Sequence, residues 1–149
     1  MQSRFARRRL QGGGTPVLAD WGVDSEHGVL RDLLVGPMAH YRWQPGNAMA
    51  TRSLRLGRTF DAATAAVQLW EMLSAYADAG VMTWGLVPDP ALPYQIYARD
   101  SSVMTPWGTI NTQLYSPWRR GEWLQVLEFY QAQGIPVYNV ITVGSMEGG

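Results

Sequence analysis

The feature of this sequence that most limits its fold is a repeat of a helix, a glycine and a strand. Apolar residues at positions i, i+3, i+4 and i+7 predict one face of a helix, and the pattern recurs 54 residues later: Leu69, Met72, Leu73 and Tyr76, then Trp123, Val126, Leu127 and Tyr130. The correspondence continues past each helix: Gly80 and Gly134, Val81 and Ile135, Leu86 and Val140, Val87 and Ile141. Glycine is typical of the position after a helix end. The chain therefore contains two copies of a strand-helix-strand unit.

The strands and caps of these units follow from local patterns. Residues 29–35 form an apolar run that ends at Gly-Pro and predicts the first strand. Asp61 is predicted to cap a helix that runs through Ala79, and residues 81–87 then form a second strand. Residues 102–114 are predicted to form a hairpin around the turn Thr-Pro-Trp-Gly, because Pro favours the second position of a turn. Repeats of this size usually stack or close into a ring with more than two copies, so this set is incomplete.

Composition excludes several classes of protein. The chain has 149 residues, 46% of them hydrophobic, which is enough for one globular domain, predicted over residues 15–149. The net charge is zero, and no apolar run approaches the roughly 18 residues that span a bilayer, so a nucleic-acid or membrane partner is not predicted and the simplest location is the cytoplasm. Residues 1–14 hold four arginines and three glycines and are predicted to be a disordered basic tail. The alternative is that this tail docks on an acidic surface.

The absence of cysteine has the greatest chemical consequence. It excludes disulfides, thiolate metal sites and thiol nucleophiles within this chain. The two histidines, His27 and His40, have no further ligands at metal-binding spacing, so no metal site is predicted, and nothing calls for a cofactor.

Residues 38–58 lack clear periodicity and are predicted to be a long loop, which is often a binding element or a lid. The arginines of this loop are either carboxylate ligands or solvated charges: Arg42, Arg52, Arg55 and Arg58.

Two acidic residues occupy corresponding places after the repeats. Asp100, next to Arg99, lies at the mouth of the predicted hairpin, and Glu147 follows the last strand of the second unit. In a ring of such units, both carboxylates point to the same end, where loops on a rigid scaffold often carry function. The alternatives are that Asp100 caps its own turn and that Glu147 belongs to a frayed terminus.

Four short motifs occur in an order that resembles a known family. They are SEHGVLRDLLVGP at residues 25–37, YARDSSVMTPWG at 97–108, SPWRRGE at 116–122 and MEGG at 146–149. The chain resembles the N-terminal part of guanidino-group-modifying enzymes, the arginine deiminases, dimethylarginine dimethylaminohydrolases and amidinotransferases. The resemblance covers almost everything after the basic tail. It implies a pentein-type α/β propeller, with five strand-and-helix units around a pseudo-fivefold axis, of which about two are present here.

The resemblance also implies a chemistry. A cysteine thiolate attacks the guanidinium carbon and forms a covalent amidino-thioether, while a histidine moves protons. By its motif, Asp100 matches a guanidinium-holding aspartate, since a carboxylate can accept two parallel bonds from that group. Glu147 matches the glutamate that orients the histidine, and Arg99 is a candidate support for the strand mouth.

This sequence departs from the family's pattern in what it lacks. It has no cysteine, and neither histidine lies in the matching motif. We therefore expect a complementary C-terminal polypeptide to supply both groups, with this chain inactive alone. The alternative is a non-catalytic protein-binding module or an inactive fragment of the same fold. Substrate choice, arginine or a substituted guanidine, and reaction type, hydrolysis or amidino transfer, stay open. Self-association is expected, because an open set of repeats exposes strand edges and apolar faces.

Overall fold

The computed structural model describes residues 7–8, 18–19, 21–23 and 27–146 as an α/β fold with small sheets. The elements, in chain order, are β1 (Arg7–Arg8), β2 (Leu18–Ala19), β3 (Asp32–Val35), α1 (Ala48–Arg55), α2 (Ala62–Asp78), β4 (Met82–Gly85), β5 (Ser102–Thr105), β6 (Gly108–Thr112), α3 (Glu122–Ala132) and β7 (Val137–Ile141). Short 3-10 helices cover Ala98–Ser101 and Pro117–Arg119. Within the described ranges, no helix has the length and apolarity needed to cross a membrane.

Two strand-helix-strand units are present. In the first unit, β3 pairs in parallel with β4, so α2 makes the crossover between them. In the second unit, β6 pairs in parallel with β7 across α3, and β5 pairs antiparallel with β6 as the predicted hairpin. Parallel neighbours need such a crossover, which explains why the sequence repeats a helix between strands. That these units belong to a propeller stays a prediction.

The two helices end in the same way, as the repeat predicted. Gly80 and Gly134 have φ angles of 75° and 69°, a left-handed conformation that costs glycine little. The next residue of each copy donates its N–H back into the helix, from Val81 to Tyr76 and from Ile135 to Tyr130, each at 2.9 Å. This bonding pattern is the Schellman motif, which satisfies helix-terminal carbonyls. The helix start is confirmed as well, because the Asp61 carboxylate accepts bonds from the backbone of the first turn.

The structure corrects the predicted boundaries. Strands cover only four residues of each of the predicted runs 29–35 and 81–87. Residues 38–58 are not one long loop, because they contain α1. The helix starts where the Asn47 side chain accepts bonds from the backbone N–H groups of Met49 and Ala50. Of the predicted disordered tail, the structure describes Arg7–Arg8 as a strand paired with Leu18–Ala19.

The core lies around α3. Its buried residues are Leu86, Ala98, Val126, Tyr130 and Ile135. By contrast, no residue of α2 is buried, and Trp70 is 68% exposed. The helical spacing of Trp70 predicts a core residue, and this prediction was wrong, because the packing of α2 against β4 leaves the Trp70 side chain in solvent.

Candidate functional site

Asp100 lies where the sequence predicted, at the open end of the β5–β6 hairpin. It belongs to the 3-10 helix that leads into β5, and Ser102, two residues later, pairs with Asn111 at the end of the ladder away from the turn. Its backbone N–H donates to the Tyr97 carbonyl at 3.1 Å, which closes a tight turn. Rigid strands thus hold the Asp100 carboxylate, which is 29% exposed, at the edge of a cavity.

The Asp100 carboxylate already contacts a guanidinium of its own chain. Arg119 Nη1 donates to Asp100 Oδ2 at 2.8 Å. The same guanidinium donates from Nη2 and Nε to the carboxylate of Glu122 at 2.8 and 3.1 Å, and Nη2 also reaches the Tyr97 carbonyl at 3.3 Å. Arg119 also stacks over the Tyr97 ring, with 5.3 Å between its Cζ atom and the ring centroid. All three guanidinium nitrogens are therefore occupied by groups of this chain.

Asp100, Arg119 and Glu122 form a charged triad, and burial shifts the pKa values of Glu122 and Arg119. Burial raises the pKa of Glu122 above the usual range of a glutamate, although Arg119 offsets part of that effect. Burial alone would lower the pKa of Arg119, but hydrogen bonds to Glu122 and Asp100 outweigh it and raise the pKa. Glu122 is the first residue of α3, where the helix dipole stabilises a carboxylate. With both acids ionised, two negative charges face one positive charge, and the triad carries a net charge of −1.

A cavity of about 740 Å³ opens beside Asp100. This volume is within the range of small-molecule sites, roughly 300–1,000 Å³. Aromatic side chains form much of its lining: Tyr41, Trp43, Tyr94, Tyr97, Tyr115 and Trp118. The segment around Asn47 and Ser53 lines the opposite side, so α1 and its cap form one wall.

Tyr41 joins that wall to the rest of the cavity. Its ring packs edge-to-face against Phe60 at 4.6 Å and Tyr94 at 5.8 Å between centroids. Its hydroxyl lies 3.4 Å from the Tyr97 hydroxyl. Burial and then the Tyr97 hydrogen bond raise the pKa of Tyr41 to about 12. Because the rings of Tyr41 and Phe60 are in contact, they bring together the two ends of the segment that contains α1.

A buried glutamine fixes the loop that leads to Asp100. The Gln95 side chain, 3% exposed, accepts a bond from the Asp89 N–H at 3.0 Å and donates to the Val87 carbonyl at 2.7 Å. It also bonds to Gln125 of α3, which in turn donates to the Asp89 carboxylate at 3.0 Å. Hydrogen bonds between side chains therefore attach the loop between β4 and Asp100 to α3, without strand pairing.

The other candidates from the sequence lie elsewhere. Arg99 is exposed and does not line the cavity, and Glu147 lies outside the described residues. Arg42 donates to the Pro90 and His40 carbonyls at 3.2 Å, which makes it a loop tie. Arg52 and Arg55 line a second, shallower cavity of about 560 Å³ beside α1. Arg58 and His27 are exposed and His40 half-buried.

Sequence reasoning missed Arg119, Glu122 and the aromatic lining. The signal for the first two was present, because Arg and Glu three residues apart on a helical turn face each other and often pair. The aromatic lining had no such signal. Its members come from three separate segments, and only the tertiary fold brings them together.

No protein-family model matches this chain, and no curated protein matches it significantly. Solved structures do match. A dimethylarginine dimethylaminohydrolase variant, as an adduct with S-methyl-L-thiocitrulline, superposes with a TM-score of 0.64 and 20% sequence identity, over 81% of this chain and 46% of that one. Another structure of such an enzyme, as an adduct with 4-chloro-2-hydroxymethylpyridine, gives 0.61 and 23%, over 81% and 44%. The apo form of ArgZ, an arginine dihydrolase from the ornithine-ammonia cycle in cyanobacteria, gives 0.62 and 17%, over 77% and 17%.

Over the matched residues, the chain shares its fold with the corresponding part of these solved structures. It spans less than half the length of each of these solved structures. At these identities the likeness shows the fold of the matched part alone, and the five-unit propeller that the four motifs imply stays a prediction.

Proposed function

We propose that this chain is the N-terminal portion of a cysteine-dependent guanidino-group hydrolase or amidinotransferase. Its substrate is arginine or a substituted guanidine, and its nucleophilic cysteine and catalytic histidine come from a complementary C-terminal polypeptide. In this proposal the two strand-helix-strand units are the first two of a five-unit propeller in a cytoplasmic enzyme. The chain alone is inactive, because it has no thiol.

The observation that carries the proposal is the carboxylate of Asp100. It lies at the open end of a hairpin and at the edge of a cavity of suitable volume, and it accepts the Arg119 hydrogen bond through Oδ2, while Oδ1 has no hydrogen-bond partner among the described residues. Each carboxylate oxygen has two lone pairs, so an incoming guanidinium can donate to Oδ1 and to the second lone pair of Oδ2 while Arg119 holds the first. The net charge of −1 on the triad favours a cationic ligand.

The chemistry we propose has two steps. The thiolate adds to the guanidinium carbon, forming a C–S bond, and a C–N bond then breaks so that ammonia or an amine leaves with a proton. Water or an acceptor amine then adds to the same carbon, forming a C–O or C–N bond and losing a proton, and the C–S bond breaks to return the thiolate. In this scheme Asp100 orients the guanidinium, Glu147 orients the histidine, and Arg99 supports the mouth of the strand that follows it.

Substitution of Asp100 in the complete assembly tests this role. Asp100→Asn keeps the shape of the side chain but removes its charge, and we expect release of ammonia or citrulline from arginine derivatives to fall at least about a hundredfold, as for other positioned charges. The matched control is Asp78→Asn, at the exposed C-terminal end of α2 and away from the cavity, which should retain full activity. Equal activity of Asp100→Asn and the unsubstituted protein would refute the proposed role.

One observation favours a second candidate, a non-catalytic protein-binding module of the same fold. One side of α2 exposes Val67 and Trp70, at 56% and 68%. Exposed apolar patches often mark interaction sites. On this alternative, no complement of this chain turns over a guanidine, and Trp70→Ser abolishes binding to its protein partner.

A further inference from the structure

The lining of the cavity restricts the ligand that it can take. Among the described residues that line it, the charged side chains are Asp100 and Arg119 alone. The rest are aromatic, small, apolar or neutral polar. The charge of the cavity is therefore set by the triad of these two residues with Glu122.

Arg119 is not available to an incoming carboxylate. Its side chain is only 13% exposed, and two carboxylates and a backbone carbonyl already accept its hydrogen bonds. Withdrawing Arg119 from Glu122 would leave a buried, unpaired carboxylate, which is strongly unfavourable. An anion that entered the cavity would also meet the net negative charge of the triad.

The aromatic side chains reinforce this preference. The faces of aromatic rings carry partial negative charge and attract cations, whereas they disfavour carboxylates. Tyr97, Tyr115 and Trp118 leave 46%, 78% and 44% of their surface exposed, so their rings are accessible to a ligand. The Trp118 ring is held in place by Gly46, where an added Cβ would lie 2.4 Å from the indole Nε1.

We propose that this cavity binds a ligand with a guanidinium head and an apolar stem, such as an alkylguanidine. No carboxylate of the ligand contacts this chain. The inference rests on the proposed function of Asp100, which holds the guanidinium head, and it adds that Tyr97, Tyr115 and Trp118 hold the stem. Arginine is then a poor ligand of this surface, since the described residues that line the cavity offer its carboxylate no free cation.

Calorimetric titration of the full chain tests the inference with three probes: butylguanidinium, arginine and butylammonium. We expect butylguanidinium to bind at least about tenfold more tightly than either of the others, the ratio expected from one lost favourable contact. Tyr115→Ala and Trp118→Ala should each weaken butylguanidinium about tenfold. The matched control is Tyr138→Ala, an exposed tyrosine outside the cavity, which should leave binding unchanged.

The outcomes separate this inference from the proposed function. If arginine binds as tightly as butylguanidinium and Asp100→Asn weakens both, the carboxylate-free stem is refuted while Asp100 keeps its proposed role. If butylammonium matches butylguanidinium, the cavity does not select a guanidinium and the inference fails. If no probe binds to chain that unfolds cooperatively, or Asp100→Asn leaves binding unchanged, the inference fails, whereas the proposed role of Asp100 is decided by the activity of Asp100→Asn in the complete assembly.

Discussion

Removal of the Arg119 side chain tests whether the triad holds the site together. Glu122 has 2% of its side chain exposed and Arg119 has 13%, so Arg119→Ala leaves a buried carboxylate without its partner. Breaking a buried pair from one side costs about 3–5 kcal/mol. Because the truncated site opens onto the cavity and admits water, we expect a loss of about 3 kcal/mol in the free energy of unfolding, the low end of that range.

The second variant removes the charge that Arg119 compensates. Glu122→Gln combined with Arg119→Ala should recover more than about 1 kcal/mol of that loss, because no buried charge then remains unpaired. Urea unfolding followed by tryptophan fluorescence measures the single and double variants in one thermodynamic cycle.

The pH dependence of the Arg119→Ala variant follows from the same reasoning. Without Arg119, the burial that raises the pKa of Glu122 acts unopposed. The folded chain then holds a proton that the unfolded chain releases, so stability is greatest below the unfolded pKa and falls as the pH rises through the folded pKa. The deficit relative to the unsubstituted chain should therefore shrink on acidification. A loss below about 1 kcal/mol, or the same loss in the Glu122→Gln background, would refute the reasoning.

Three further predictions concern the fold. Gly36→Ala should destabilise the chain by about 2 kcal/mol or more, because the new Cβ would lie 1.9 Å from the Gln95 carbonyl oxygen, whereas Gly85→Ala meets nothing within 4 Å and should change stability little; thermal unfolding compares them. Asp61→Ala should destabilise α2, and Asp61→Asn should destabilise it much less, because Asn also caps helices. Hydrogen bonds to Thr64 lower the pKa of Asp61, so the stability that Asp61 contributes is present above its unfolded pKa and is lost on acidification; unfolding followed by circular dichroism measures both effects. Burial raises the pKa of Tyr41 to about 12, so the unfolded chain deprotonates first and stability should fall between pH 10 and 12; in urea unfolding the fall should be smaller in Tyr41→Phe, where the raised pKa of Tyr130 still contributes, and an equal fall would contradict this.

The parts of the fold that the sequence predicted are those fixed by local chemistry. Gly80, Gly134 and Asp61 act through their own backbone or side chain within one helical turn, so their roles were readable from position alone. The hairpin was equally local, because one turn sets its register. The repeat predicted two strand-helix-strand units, and the structure shows that the strands pair in parallel within each unit, as a crossover helix allows.

The parts that failed depend on tertiary neighbours. The apolar pattern that predicts a core residue at Trp70 does not say whether a partner covers that side of the helix. α1 was missed because it is a short helix stabilised by the Asn47 cap and by a single buried residue, Ala50, instead of a long apolar face.

In the candidate site, too, local features were predictable and tertiary contacts were not. Asp100 was predicted from its motif and its place after a strand, but the sequence did not reveal that Arg119 binds the same carboxylate. The cavity lining comes from separate segments of the chain, and no periodicity links them.

The central claim is that this chain is one part of a guanidino-modifying enzyme whose thiol lies on another polypeptide. The most direct test is the intact mass of every polypeptide that copurifies with this 16.6 kDa chain from its natural source, before and after incubation with an arginine derivative. The account predicts a second polypeptide that contains cysteine and histidine and gains the mass of an amidino adduct during turnover. A single species with the mass of these 149 residues and no adduct would contradict it.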